Sequence, residues 1–257
     1  MTQDVEYYDN MVKMLEFIWG EGYMAPGGTG NVAKLLAGTR PEGKRILDIG
    51  CGIGGVDVLL VSAFGAAHVT GIDVEAPLVA KAEQTAQRAG VEERITVQLV
   101  TPGDLPFEDS SFDVVFSKDS MIHIPDKARI YAEIKRVLKP SGRLACSDWF
   151  GSGQPDSPEF LAWLDIVGLT FALGTLDTAA ELLAELGFVD IETNDRNAWY
   201  AAYMHEELAT LGGKNFSRLA AQQGREFAEQ RLRSSTLKKQ AVDQGLLRPG
   251  HIRAVRP

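Results

Sequence analysis

The sequence predicts an α/β fold: a doubly wound, mostly parallel sheet of seven strands with a helical cap. Two observations carry this expectation. Short apolar segments alternate with helical patterns between residues 44 and 148, and a glycine-rich turn follows the first apolar segment. Strands that alternate with helices favour a parallel sheet with right-handed crossovers. Ligands of such sheets bind outside the carboxyl ends of the strands, near the point where the strand order reverses.

Seven segments have the length and the apolar content of strands. They are residues 45–49, 67–73, 95–100, 112–117, 143–147, 188–193 and 251–256, the last of which we expect at an edge of the sheet. Helical periodicity is found between strands at residues 56–64, 77–89 and 128–138. Pro140, Ser141 and Gly142 predict a turn before the fifth strand.

Two further regions carry helical patterns outside this alternation. Residues 5–19 have apolar side chains on a wide face, which is typical of a helix that covers another apolar surface. Pro26, Gly27 and Gly28 then interrupt the chain. We predict one domain over residues 1–257, in which residues 1–30 form a helical lid and residues from about 151 to 240 partly form a cap.

Composition and charge narrow the functional classes. The net charge of −9 disfavours a nucleic-acid partner and an anionic membrane surface. No apolar run approaches the roughly 18 residues that span a bilayer, and the acidic N-terminus does not resemble a signal peptide. Cys51 and Cys146 are too few for a disulfide framework and are expected to be buried. These features predict a cytoplasmic monomer or homodimer without a metal site.

The glycine-rich turn is the strongest candidate binding site. Glycine adopts left-handed backbone conformations and lets the backbone approach a ligand closely. The turn contains Gly50, Gly52, Gly54 and Gly55, and such a pattern alone is weak evidence for any one cofactor. Asp73 ends the second strand, where a carboxylate accepts hydrogen bonds from ribose hydroxyls. Nicotinamide and methionine-based nucleosides both contain ribose, so Asp73 leaves the cofactor open.

Residues 47–55, Leu-Asp-Ile-Gly-Cys-Gly-Ile-Gly-Gly, resemble the first motif of class I S-adenosylmethionine-dependent methyltransferases. Residues 105–107, 111–115 and 136–144 resemble the same family, in the same order. The resemblance implies S-adenosyl-L-methionine as the cofactor. It also implies that Asp48 supports the methionine amino group, that Gly50 and Gly52 pass under the cofactor, and that Asp73 holds the ribose.

The resemblance implies a further set of cofactor contacts, which are Tyr7, Met24, Val74, Thr101, Pro102 and Ser117. Thr101 stands where family members usually carry an acidic residue that contacts the adenine amino group. Either the Thr101 hydroxyl serves in this place, or Asp104 reaches in from a shifted loop.

A narrower resemblance links the chain to phosphoethanolamine N-methyltransferases. It rests on Tyr7 with residues 16–23 and 27–28, on residues 117–127 and on residues 187–190. The match implies that Tyr7 and His123 form a catalytic pair and that Asp119 faces the ammonium group of a substrate. Each of the three residues has an alternative, purely structural role. His123 would stabilise the turn after a strand, Tyr7 would pack as part of the apolar helix face, and Asp119 would be a hydrogen-bonded carboxylate within the fold.

One departure from this narrower family concerns phosphate. Its members hold the substrate phosphate with an arginine and a tyrosine, and the aligned positions here are Val167 and Leu169. Burying a phosphate without a cationic partner is costly. We therefore predict N-methylation of an amine other than phosphoethanolamine, either a small amine without phosphate or a larger apolar amine. Three alternatives stay open: O-methylation of a sugar or natural-product hydroxyl, a cofactor-binding subunit without activity, and, more distantly, a nicotinamide dehydrogenase. A phosphate site elsewhere would involve Lys238 or Lys239.

Overall fold

The structure is a computed structural model that describes residues 9–153, 156–168 and 171–257. Its seven strands form one sheet, as the sequence predicts. The strands are β1 (Arg45–Ile49), β2 (His68–Asp73), β3 (Ile95–Leu99), β4 (Phe112–Lys118), β5 (Leu138–Gly151), β6 (Val189–Asp195) and β7 (Leu247–Val255).

Helices cover both faces of this sheet and continue beyond it. Within the described ranges they are α1 (Asp9–Trp19), α2 (Gly28–Leu35), α3 (Gly55–Ser62), α4 (Ala76–Ala89), α5 (Lys127–Val137), α6 (Pro158–Val167), α7 (Leu176–Glu185), α8 (Asn197–Leu211), α9 (Gly213–Gln223) and α10 (Arg225–Asp243). Short 3₁₀ turns at Glu92–Arg94 and Met121–His123 precede β3 and follow β4.

The strand order is β3-β2-β1-β4-β5-β7-β6, and β1 to β5 pair in parallel. Chain order reverses between β1 and β4, which places the expected ligand site at their carboxyl ends. Strand β7 is antiparallel to both β5 and β6. The expectation that residues 251–256 form an edge strand is therefore wrong, because β6 occupies the edge. Most residues of β7 are buried at this interior position between β5 and β6.

Two further local expectations differ from the structure. Strand β5 begins at Leu138, so the predicted turn at Pro140–Gly142 lies within it, with Ser141 in the left-handed region at φ 61°. Helix α2 begins at Gly28, where the glycines were expected only to interrupt the chain. Gly27 precedes it at φ 92°, and a Cβ there would lie 2.6 Å from Asn31 Cβ. The glycine thus begins a helix at this point.

Alternate residues of the central strands face two apolar layers. Leu47 of β1 belongs to a core with α5 and α7, whereas its neighbour Ile46 belongs to a core with α2, α3 and α4. Fully buried residues such as Ile134 and Leu60 fill the two layers. This arrangement is the doubly wound α/β sheet of class I methyltransferases, so the fold class is confirmed.

The remaining helices pack together beside the carboxyl ends of the strands. Side chains of α6, α8 and α10 form an apolar cluster that includes Trp163, Tyr200 and Val242. Helix α1 adds a smaller cluster around Met14, against Phe227 of α10. The lid and cap predicted for these regions remain predictions. Both cysteines are buried, as expected. In the part of the chain that the structure describes, no helix has the length and apolar content needed to cross a bilayer.

Candidate active site

A cavity of about 430 Å³ lies at the carboxyl ends of β1, β2 and β4. We call it the cofactor cavity. The residues from the predicted site that line it are Met24, Gly50, Gly52, Asp73, Val74, Thr101, Pro102, Asp119 and His123. Residues separated by about a hundred positions thus meet where the strand order reverses.

The glycine turn leaves no room for side chains on the cavity wall. Gly50 and Gly52 have φ of 75° and 56°, in the left-handed region that favours glycine. A Cβ on Gly50 would lie 2.3 Å from Ser120 Cβ, and one on Gly52 would lie 3.1 Å from Met24 Sδ. The space that a side chain would need is thus filled by Ser120 at Gly50 and by the end of the Met24 side chain at Gly52.

Asp73 is held in place by two backbone donors. Its Oδ2 accepts from Gly52 N and its Oδ1 from Glu75 N, both at 3.0 Å. Burial raises the pKa of Asp73, and these backbone hydrogen bonds act in the opposite direction. Each carboxylate oxygen has a second lone pair, so Asp73 can still accept ribose hydroxyls.

Asp48 lies next to this region, in a small cavity of about 50 Å³ that Gly50, Gly52 and Lys118 also line. It is 2% exposed. Burial raises the pKa of Asp48 to about 7, and the ammonium of Lys118 acts in the opposite direction. A carboxylate in such a place can hold an amino group, as the sequence motif implies.

The two candidates for the adenine contact, Thr101 and Asp104, differ in their position relative to the cofactor cavity. Thr101 lines the cofactor cavity. Asp104 pairs with Arg129 at 2.8 Å, and its side chain is 70% exposed. Ser117 is fully buried and lines none of the cavities described here; its Oγ donates to Ile49 O at 2.9 Å. Of these three side chains, only Thr101 therefore faces the cofactor cavity.

A second cavity of about 150 Å³ adjoins the first, and we call it the acceptor cavity. Met24, Ala25, Asp119 and His123 line both cavities. The other walls are mainly apolar and aromatic, and they comprise Met11, Met14, Leu15, Ile18, Trp19, Pro26, Ile122, Trp149, Trp163, Val167, Phe171 and Leu247. Asp119 and His123 are therefore the polar side chains at the junction.

Asp119 is fixed by three hydrogen bonds and an unusual backbone conformation. Its Oδ2 accepts from Lys118 Nζ and its Oδ1 from Ser147 Oγ, each at 2.9 Å, and its own N donates to Ser147 O at 2.7 Å. Its φ is 58°, which is strained for a residue other than glycine. Lys118 also donates to Pro26 O at 3.0 Å. Asp119 is therefore hydrogen-bonded, as its structural alternative requires, and it also faces both cavities.

His123 stands at the end of a row of aromatic rings. Its ring centroid lies 5.5 Å from that of Phe171, which stacks on Trp163 at 5.5 Å. The short turn after β4 carries His123 to the junction of the cavities. Its expected partner Tyr7 lies outside the described residues.

The far end of the acceptor cavity is polar. Glu207 of α8 accepts from Tyr200 Oη at 3.0 Å, Ser235 Oγ at 3.2 Å and Lys238 Nζ at 2.8 Å. Lys238 Nζ also lies 5.5 Å from the ring of Trp19 and 5.6 Å from that of Tyr200. Lys238 is thus enclosed by a carboxylate and two aromatic rings.

The positions aligned with the phosphate contacts have apolar residues, as the sequence shows. Val167 lines the acceptor cavity, and Leu169 lies outside the described residues. Arg231 and Lys238 also line it, so cationic side chains are present at its far end. Lys239 instead pairs with Asp243 at 2.5 Å.

Sequence reasoning missed several polar residues of this site, and Lys118 and Glu207 are two of them. A signal for Glu207 existed: it interrupts a buried stripe of α8 formed by Tyr200, Met204 and Leu211 at helical spacing. Lys118 directly follows the apolar core of β4, at the carboxyl end of the strand. The described residues contain no cluster of three or more His, Cys, Asp or Glu that suits a metal ion.

The sheet order, the glycine turn and the cavity at the strand switch together correspond to the class I methyltransferase fold. The chain belongs to the methyltransferase domain family, whose model matches residues 41–200. Both resemblances noted in the sequence are thereby confirmed at the family level, since phosphoethanolamine N-methyltransferases are among its similar proteins.

Three relatives illustrate the range of this similarity. Phosphoethanolamine N-methyltransferase of Triticum aestivum is 29% identical, over 87% of this chain and 43% of its own length. A 27-O-demethylrifamycin SV methyltransferase of Amycolatopsis mediterranei is 35% identical, over 55% of this chain and 56% of its own. The solved phosphoethanolamine N-methyltransferase 2 of Haemonchus contortus, bound to S-adenosylhomocysteine, has a TM-score of 0.88 at 26% identity, over 97% and 58% of the two chains. The chain thus spans less than half the length of the wheat protein.

Proposed function

We propose that this protein transfers a methyl group from S-adenosylmethionine to the nitrogen of a small amine that carries no phosphate. One observation carries the proposal: Asp119 and His123 line both the cofactor cavity and the acceptor cavity. A methyl group passes between donor and acceptor by in-line displacement, so groups at the junction are placed to align the acceptor.

The residues present fit the cofactor. Gly50 and Gly52 line the cofactor cavity without side chains, so a ligand can approach their backbone closely. Asp48, which lines the small cavity beside the glycine turn, would hold the methionine amino group. Asp73 would hold the ribose, and Thr101 would lie near the adenine. S-adenosylmethionine supplies an electrophilic methyl group when bound.

A proton has to leave an amine before its nitrogen can attack. An alkyl amine has a pKa near that of lysine, about 10.4, so its reactive form is scarce at neutral pH. His123 would accept this proton at the junction, and a positioned base contributes typically 10²–10⁴-fold to the rate. Asp119, fixed by Lys118 and Ser147, would orient the ammonium form beside it.

Aromatic walls favour an amine as the acceptor. Trp149, Trp163 and Phe171 line the acceptor cavity beside the junction. Aromatic faces attract cations, with energies of about 0.5–2 kcal/mol that rise on desolvation. The walls and Asp119 together therefore suit a positively charged group with a small apolar body.

The far end of the cavity supports the exclusion of phosphate. The Lys238 ammonium forms an ion pair with the carboxylate of Glu207, whose side chain is only 1% exposed. A phosphate bound here would face the Glu207 carboxylate as well as the cationic groups of Lys238 and Arg231. The repulsion between two anions in a partly buried site opposes such binding.

O-methylation is the second candidate. A similar protein is named as a 27-O-demethylrifamycin SV methyltransferase, and a histidine base can deprotonate a hydroxyl as well as an amine. The mainly apolar walls of the acceptor cavity also suit a natural-product acceptor.

Screening amines and hydroxyl compounds for formation of S-adenosylhomocysteine tests the proposal. Ethanolamine and phosphoethanolamine form a matched pair that differs only in the phosphate. We expect turnover with amines and little with phosphoethanolamine. Efficient turnover of phosphoethanolamine would contradict the exclusion of phosphate, and turnover of hydroxyl compounds alone would support O-methylation. Cofactor binding without turnover of either class would support a non-catalytic subunit.

A further inference from the structure

Two buried carboxyl groups meet behind the glycine turn. Asp57, in the first turn of α3, is 0% exposed, and Asp48 of β1 is 2% exposed. The two carboxyl groups lie close enough for a side-chain hydrogen bond between them. Apart from this contact, no described residue gives a hydrogen bond to either oxygen of Asp57 or to Oδ1 of Asp48. Two acceptor-only groups cannot form such a bond unless one of them carries a proton.

The charged surroundings do not neutralise the pair. Asp73 faces both carboxyl groups from the end of β2, and Cys51 lies beside them in the turn. Lys118 of β4 is the cation that acts on Asp48, and its ammonium already pairs with Asp119. Burial is the largest cause that raises the pKa of each member, and the neighbouring carboxylates add to it. Close carboxylates share a proton under such conditions.

The sheet provides a specific space for the Asp57 side chain. Gly71 of β2 pairs with Asp48 across the parallel ladder. A Cβ on Gly71 would lie 2.4 Å from Asp57 Oδ2 and 2.9 Å from Cys51 Cβ. The absence of a side chain at residue 71 therefore lets Asp57 reach the strand that carries Asp48.

We propose that Asp57 is a positioning residue, which keeps a proton and donates it in a hydrogen bond to Asp48, so that Asp48 presents its negative charge to the methionine amino group. The two members differ in access, because Asp48 lines the small cavity beside the glycine turn and Asp57 lines none of the three cavities. We therefore assign the negative charge to Asp48, because a cationic group can reach it, and the proton to Asp57. This inference rests on the cofactor contact of Asp48 in the proposed function.

The arrangement has a consequence for pH. Because the pKa of Asp48 is raised to about 7, its ionised form grows as the pH rises through neutrality. Affinity for a cofactor amino group therefore rises over the same range. Asparagine has nearly the shape of a protonated aspartic acid and keeps a donor, so Asp57→Asn preserves the hydrogen bond to Asp48. Asp57→Leu removes it.

Infrared difference spectroscopy on the protein alone locates the proton. At neutral pH, the wild type should show a carbonyl stretch of a protonated carboxylic acid that is absent from Asp57→Asn. No such difference band would overturn the proposal. This measurement needs neither cofactor nor activity, so it is independent of the proposed function.

Calorimetric binding of S-adenosylhomocysteine at mildly acidic and mildly alkaline pH completes the test. We expect Asp57→Asn to bind within about threefold of the wild type and to keep the rise with pH, and Asp57→Leu to bind at least about tenfold more weakly. If both variants bound S-adenosylhomocysteine equally weakly, the effect would be due to loss of a negative charge on Asp57, and the proposal would be overturned. Wild-type affinity in Asp57→Leu would overturn it as well. If the leucine variant does not fold, the infrared band and the asparagine variant decide.

Discussion

The indole nitrogen of Trp19 donates a hydrogen bond of 3.3 Å to Glu207 Oε2, which joins α1 to α8. Other side chains of α1, such as Met14 and Ile18, line the acceptor cavity. The N-terminal helix thus forms one wall of that cavity and is tied to its polar end. This contact suits the lid that the sequence predicts for residues 1–30.

The first prediction concerns this lid. Trp19→Phe keeps an aromatic ring but loses the hydrogen bond to Glu207, so α1 should exchange its amide hydrogens faster. Cofactor binding should slow exchange in residues 9–25 of the wild type. Hydrogen exchange with mass spectrometry measures both effects, and Trp163→Phe on α6 serves as the matched control. Unchanged exchange of α1 in Trp19→Phe would show that the bond does not hold the lid.

The second prediction concerns the ribose. Asp73→Asn should weaken binding of S-adenosylhomocysteine by about tenfold or more, because a hydrogen bond to a charged group contributes about 1.5–3 kcal/mol. Calorimetry measures the affinity. Asp113→Asn is the control, since this carboxylate accepts from Arg45 N at the opposite end of β1. Equal affinity in Asp73→Asn and wild type would remove Asp73 from the cofactor site.

The third prediction concerns the base. His123→Ala should lower turnover by roughly 10²–10⁴-fold while leaving cofactor affinity nearly intact, as loss of general-base catalysis requires. Tyr7→Phe should lower it less, because the ring is retained. Turnover and melting temperature are measured on the same preparations. A purely structural His123 predicts the reverse pattern, a lower melting temperature with little loss of rate in the folded variant.

The fourth prediction concerns phosphate. Glu207→Gln leaves the Lys238 ammonium without its carboxylate partner, so inorganic phosphate and phosphoethanolamine should bind roughly tenfold more tightly. The control is Glu206→Gln, which makes the same change on the exposed face of α8. Competition with a good amine acceptor reports the affinity, and the melting temperature shows that the variant is folded. No gain over Glu206→Gln would mean that Glu207 does not exclude phosphate.

The fifth prediction concerns pH and stability. Asp148 is 2% exposed, and burial raises its pKa to about 7, well above the unfolded value of about 3.9. The folded state therefore binds more protons between these values, and stability from this group is lost as the pH rises across them. Asp148→Asn should be more stable than the wild type at about pH 8, by on the order of 2 kcal/mol, with a smaller gain at about pH 5. Denaturant unfolding at both pH values measures this, and a constant difference would contradict it.

Much of the fold was readable from local patterns. The β1 segment 45–49 was located to the residue because a short apolar run meets a glycine turn, and both signals are local. The position of β7 could not be read in this way, since its mixed sequence, with Arg248, His251 and Arg253, does not show that it lies between β5 and β6. Helix α2 was missed because Gly27 and Gly28 are turn residues by composition, although here they begin a helix.

The sequence by itself indicated the end of the sheet that binds a ligand, since a strand, a tight glycine turn and the carboxylate of Asp73 at the next strand end are local signals. The class of cofactor came from the resemblance of residues 47–55 to class I methyltransferases. Tertiary structure alone decided what surrounds the acceptor. It brought Glu207 of α8 to Trp19 of α1 and Lys238 of α10, residues far apart in the chain. Charge pairing of this kind depends on which helices pack together, and no local pattern encodes that choice.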